Sequence, residues 1–177
     1  MKKSQDKKME YTLHYQLRGS RHEILSVVFS NFDLDSMRER LQAWLHICLT
    51  NDYGGYDTGE DRKMLMAFCE DFERIIEAFY IESKAREKAL QMLKGEARKL
   101  FKKLNKCVAL SKEERENTLP VLTEFAKSYK KRYVRAELLC MLESVIICDD
   151  DIGRERFSAL TFFQCVNSLI SLIYNHR

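Results

Sequence analysis

Arg40 and His46 are the two residues whose side chains could act together on a substrate. They bracket the run Arg40-Leu41-Gln42-Ala43-Trp44-Leu45-His46. An imidazole can exchange a proton near neutral pH, and a guanidinium can hold a phosphate oxygen pair. Six residues of α-helix separate the two by roughly 240° of rotation, so one helix does not by itself bring them face to face. His46 and Cys48, two apart, diverge by roughly 200° and cannot readily share an ion. His14, His22 and His176 show no ligand spacing either. No metal and no cofactor is expected. Gly54, Gly55 and Gly59 lack the Lys-Ser/Thr of a phosphate loop, and Asp149, Asp150 and Asp151 lack the alternating ligands and distant glutamate of a calcium loop. Both runs read as turns.

The Arg40-to-His46 spacing resembles the arginine–histidine pattern of HEPN ribonucleases, small helical bundles that cleave a phosphodiester. That resemblance covers seven residues. It implies a catalytic role for Arg40 and His46, although Leu41 stands where that family often has a polar residue after its arginine.

A second chemistry is attraction of negative charge. Residues 1–80 carry 11 Lys+Arg against 14 Asp+Glu, residues 81–135 carry 16 against 7, and residues 136–177 carry 3 against 6. The middle therefore has a balance of +9 between flanks of −3 each. Lys94, Arg98, Lys99, Lys102, Lys103 and Lys106 form one basic stretch, and Lys127, Lys130, Lys131, Arg132 and Arg135 form another around Tyr129 and Tyr133. Neighbouring in space, they would attract phosphates or an acidic protein. Lysine outnumbers arginine in the first stretch, which favours non-specific attraction over base reading.

The elements that must position these residues read as helices. One proline and six glycines in 177 residues are few, which argues for long helices and few turns. The spacing of three and four residues is clearest over 58–108. There Leu65, Phe68, Cys69, Phe72, Ile75, Ile76 and Phe79 share one face, and Leu90, Leu93, Ala97, Leu100, Phe101, Leu104 and Val108 resume it. One rod of that length would reach roughly 75 Å, so a bend or turn is expected across 81–89. Ser36 with Glu39, Asp57 with Glu60 and Ser111 with Glu114 match capping boxes, and Pro120 suits a first helical turn. A stripe from Leu122 to Ile146 follows, with the end beyond Leu138 apolar almost all round and therefore expected deep in the core.

The expected fold is all-α: a single-domain bundle of about five helices over 10–177, one of them unusually long or bent, with a disordered tail at 1–9. Tyr11, Leu13, Tyr15 and Leu17 alternate with polar residues as a strand does, and Ile24–Phe29 could return as its partner in a small N-terminal β-hairpin. A helix over 21–30 is the alternative.

The six cysteines form no Cys-x-x-Cys pair, and no apolar segment follows the charged opening residues. They read as free, buried thiols in the cytoplasm. Nineteen residues from Phe157 to Asn175 carry no charge. Thr161, Gln164, Ser168, Ser171 and Asn175 form a polar stripe along them, which suits a core or subunit-interface helix better than a membrane span. The residues thus support a non-catalytic interaction protein, binding a protein partner or a second copy of itself. An accessory nucleic-acid-binding role is the alternative, and HEPN-like cleavage comes third.

Overall fold

The computed structural model describes residues 19–52, 54–83, 85–148 and 156–175, with the side chains of Ala85, Arg156 and Phe157 outside that description. The expected tail at 1–9, the proposed first strand at Tyr11–Leu17, and the turn at Asp149–Asp151 lie outside the described residues. Among the described residues the protein is all-α, with nine helices and no strand.

Helix α1 (Arg21–Asn31) opens on a capping box in which Ser20 and Glu23 satisfy each other's backbone N–H groups. It buries Leu25 and Val28, three residues apart on one face. The second arm of the expected hairpin, Ile24–Phe29, is therefore helical: local capping and a three-residue apolar step prevail over the sheet reading. Helix α2 (Leu34–Thr50) starts two residues ahead of the Ser36 expected from sequence. Asp33 is its N-cap and accepts from the Ser36 N–H at 2.9 Å. Thr58, rather than Asp57, caps α3 (Gly59–Glu82), with Asp61 completing the box.

The stretch 58–108 is three helices, not one rod. Helix α3 stops at Glu82, inside the expected break. Helices α4 (Ala85–Met92) and α5 (Gly95–Leu104) follow. The second break falls at Gly95, whose φ of +58° lies in the left-handed region. A Cβ added there would meet nothing within 4 Å, so the cost of Gly95→Ala is conformational alone. We expect about 1 kcal/mol, read as a fall in Tm of about 2–4 °C. An unchanged Tm would show that this link relaxes freely.

Helix α6 (Lys112–Glu116) has the expected Ser111–Glu114 box, and α7 (Leu119–Ser128) has Pro120 in its first turn. The stripe expected to run from Leu122 to Ile146 breaks at Tyr129–Lys130, before α8 (Lys131–Ile147). The break lets Phe125, Tyr129 and Tyr133 all close on Phe68, with centroids 6.4, 5.5 and 6.0 Å away. The end of α8 is not deep in the core throughout. Leu138, Met141 and Leu142 are buried, whereas Leu139, Ile146 and Ile147 are exposed.

Helix α9 (Arg156–Asn175) rests against α1, α3, α7 and α8. Phe162, Val166, Leu169 and Ile170 are wholly buried in it, and Ser168 and Asn167 are nearly so. The uncharged helix, expected in the core or at a subunit interface, is thus a core helix covered by its own chain. No described helix is long and apolar enough to cross a membrane. All six cysteines are free. Cys48, Cys69, Cys107 and Cys165 are buried, but Cys140 is exposed, against expectation.

Candidate functional site

A buried ion pair fixes how the basic stretch is presented. Glu77 on α3 is wholly buried, and Arg38 on α2 is 7% exposed. The Arg38 guanidinium donates to Glu77 Oε1, and from the same nitrogen to the Lys106 carbonyl at 2.7 Å. Three successive backbone N–H groups converge on the same carboxylate. Val108 donates to Oε1 at 2.7 Å, Ala109 to both oxygens at 3.0 and 3.1 Å, and Leu110 to Oε2 at 3.0 Å. Such a concave run of amides is an anion nest, here filled by the protein's own side chain. Arg38 Nε lies 3.2 Å from Glu73 Oε1 without the alignment of a hydrogen bond. Burial pushes the Glu73 carboxyl above its ordinary range, against the pull of Arg38.

Asn105 makes the second tie. Its side-chain oxygen accepts from the Leu34 N–H at 3.0 Å, capping the start of α2, while its amide donates to the Phe101 carbonyl at 3.0 Å. Helix α5 is therefore fastened at its C-terminal end to the start of α2, and the loop after it to Glu77. A third tie holds α6, whose Glu114 pairs with Arg74 of α3. The Ser111 N–H, with Arg74 beside it, keeps the Glu114 carboxyl below the usual carboxylate range.

What these ties present is a basic helix on the outside of the molecule. No residue of α5 is buried, although its spacing led us to expect a face shared with α3. Lys94, Arg98, Lys99, Lys102, Lys103 and Lys106 are all exposed. Lys99 pairs with Glu96 at 2.7 Å. The other five make no ion pair among the described residues. Leu100 is 56% exposed between them, and Met92 and Val108, at 78% and 63%, flank the helix.

The second basic stretch is used differently. Helix α5 packs mainly on α2, whereas α7 packs on α3 and α9, and α8 on α2 and α9. Tyr129 and Tyr133 sit against the core, stacked on each other at 5.8 Å. The Tyr129 hydroxyl donates to Asp71 at 2.8 Å. Lys131 lies over the Tyr174 ring at 6.0 Å, and the Arg135 Nε donates to Asn167 Oδ1 at 3.4 Å. Lys127, Lys130 and Arg132 are exposed. Part of this stretch therefore serves the fold itself.

Arg40 and His46 both project from α2. The Arg40 guanidinium lies 5.1 Å from the Phe32 ring centroid, and His46 is exposed.

Sequence reasoning missed Arg38 and Glu77. A signal for one was present: Glu77 is the lone charge in Ile75-Ile76-Glu77-Ala78-Phe79-Tyr80-Ile81, where an acid can be buried only if something neutralises it. Compared with known proteins, the chain matches no family model, no curated protein and no solved structure.

Proposed function

We propose that this protein is a cytoplasmic helical bundle that acts as a non-catalytic interaction module, docking an acidic protein partner on α5. The observation that supports this reading is the composition of α5 in place. Five cations without an ion pair share α5 and its two ends with an exposed Leu100, and that helix contributes no buried residue to its own fold. Lysines steer an acidic partner and set the salt dependence of its arrival, while an exposed leucine among them supplies an apolar anchor. That mixture also separates a protein partner from nucleic acid, whose phosphates offer Leu100, Met92 and Val108 nothing apolar. The covered surface of α9 favours a different protein over a second copy as the partner.

The test is co-purification from the native cell at low salt, with and without nuclease, for the wild type and for the triple variant Lys94→Glu, Arg98→Glu, Lys103→Glu. All three positions are exposed and unpaired, so the variant should melt within about 2 °C of the wild type. We expect an acidic protein to be recovered with the wild type after nuclease treatment. Recovery should fall at least tenfold for the triple variant, a change of about 1.4 kcal/mol or more. The same partner held equally well by the variant would remove this reading, and recovery that disappears with nuclease alone would transfer the surface to nucleic acid.

A further inference from the structure

The corner where α3 gives way to α4 forms one wall of an open cleft of about 390 Å³, closed on the other side by α5 and α6. Four cations line it: Arg86 from α4, Lys102 and Lys106 at the end of α5, and Arg115 from α6. No carboxylate among the described residues does. None of the four makes an ion pair among the described residues. Of the nearby acids, Glu82 is held by Arg21 and by the Thr118 hydroxyl, Glu87 is exposed beside an adjoining hollow, Asp33 lies close enough to act on Tyr80, and Glu113 is close enough to feel Arg115. Like charges gathered from three helices around one hollow repel one another, and an anion there would relieve the repulsion.

The wall behind the cations is a sealed one. Tyr80 lines the cleft and is only 3% exposed, yet its hydroxyl has no hydrogen-bond partner. A buried phenol without a partner is uncommon, because losing water without replacement is costly. Burial pushes it up to about 12, so at neutral pH it keeps its proton. The Arg86 guanidinium lies 5.8 Å from the centroid of the same ring. Leu90 and Phe101 give the cleft an apolar side.

We propose that this cleft binds a small phosphate monoester with a flat apolar body. The dianion sits among Arg86, Lys102, Lys106 and Arg115, while the body lies against Leu90 and Phe101. The volume is that of a small-molecule site, and arginine forks suit phosphate oxygens. This site goes beyond the docking surface: it shares Lys102 and Lys106 with it, but Lys94, Arg98 and Lys103, the three positions varied above, do not line it.

The experiment is calorimetric titration of the full chain with AMP, phenyl phosphate and inorganic phosphate at low ionic strength. AMP and phenyl phosphate should each bind saturably at one site per chain, with inorganic phosphate about tenfold weaker for want of apolar contact. Arg86→Gln with Arg115→Gln should weaken AMP by about a hundredfold, because both charge-assisted forks are lost. Tyr80→Phe should leave AMP affinity unchanged and Tm unchanged or raised, since an unpartnered polar group behind the cleft wall is removed. The triple variant of the docking surface should change AMP binding by no more than about threefold, through screened distant charge. That separates failure of this site from failure of the docking reading. Three outcomes would overturn the proposal: no saturable binding of any probe up to about 1 mM, AMP no tighter than inorganic phosphate, or unchanged binding by the double glutamine variant.

Discussion

Replacing Glu77 by alanine should cost the protein most of its stability. The substitution strands the Arg38 guanidinium, 7% exposed, with only the looser carboxylates of Glu73 at 3.2 Å and Asp35 at 3.9 Å beside it. It also removes the acceptor of the Val108, Ala109 and Leu110 N–H groups. Breaking one side of a buried pair costs about 3–5 kcal/mol, and each orphaned buried donor adds about 1–3. Against a total of about 5–15 kcal/mol, the folded population shrinks sharply. Solvent entering the loop recovers part of the loss, so we expect at least about 4 kcal/mol by urea denaturation. Glu77→Gln keeps one acceptor oxygen but turns an N–H pair toward donors, and should cost about half as much. Arg38→Met should cost less than Glu77→Ala, because the carboxylate keeps its three amide donors. If Arg38→Met proves the more damaging, the pair rather than the loop is what the carboxylate serves.

The second large effect lies in the core, where Phe162→Ala should cost about 3–5 kcal/mol and lower Tm by about 6–20 °C. Phe162 is wholly buried on α9. Its ring meets Trp44 edge-on at 5.1 Å and Phe32 edge-on at 5.9 Å. One side chain thus joins α9, α2 and the α1–α2 corner. Loss of the ring forfeits both edge contacts and leaves a cavity that α9, enclosed by four other helices, cannot collapse to fill. Phe162→Leu, which keeps most of the volume, should cost less than about 2 kcal/mol. Equal losses for the two variants would show that aromatic geometry, not volume, dominates there.

Much of the helical content was legible from spacing alone. The faces through Leu65–Phe79 and Leu122–Phe125 are buried as their period requires, and Ser111, Pro120 and the glycines after Asn51 mark real ends. Interruption within that content was harder to read. Helices α7 and α8 share one apolar period across Tyr129, so nothing in it announces a break; the break is imposed by three rings closing on Phe68 from afar. The stripe on α5 misled for a related reason. Leu100, Phe101 and Leu104 have a core spacing, but periodicity shows that a face exists, not that anything covers it. The same limit applied to α9, whose apolar surplus is absorbed by four neighbours inside the chain. As for the site, the lysines were visible as composition, whereas the ties that hold them out were not. Arg38 and Glu77 are 39 residues apart, and their meeting depends on how α2 packs on α3.

The account turns on one physical point: a buried carboxylate holds the segment from Lys106 to Leu110, and through it the basic helix α5, in a fixed pose. Native-state hydrogen exchange at the Val108, Ala109 and Leu110 amides tests this most directly. Although Val108 is exposed and the segment is a loop, bonds to Glu77 should make these three amides exchange about as slowly as the α3 core, through global unfolding alone. Exchange at the rate of an open loop, with the α3 amides still protected, would contradict it.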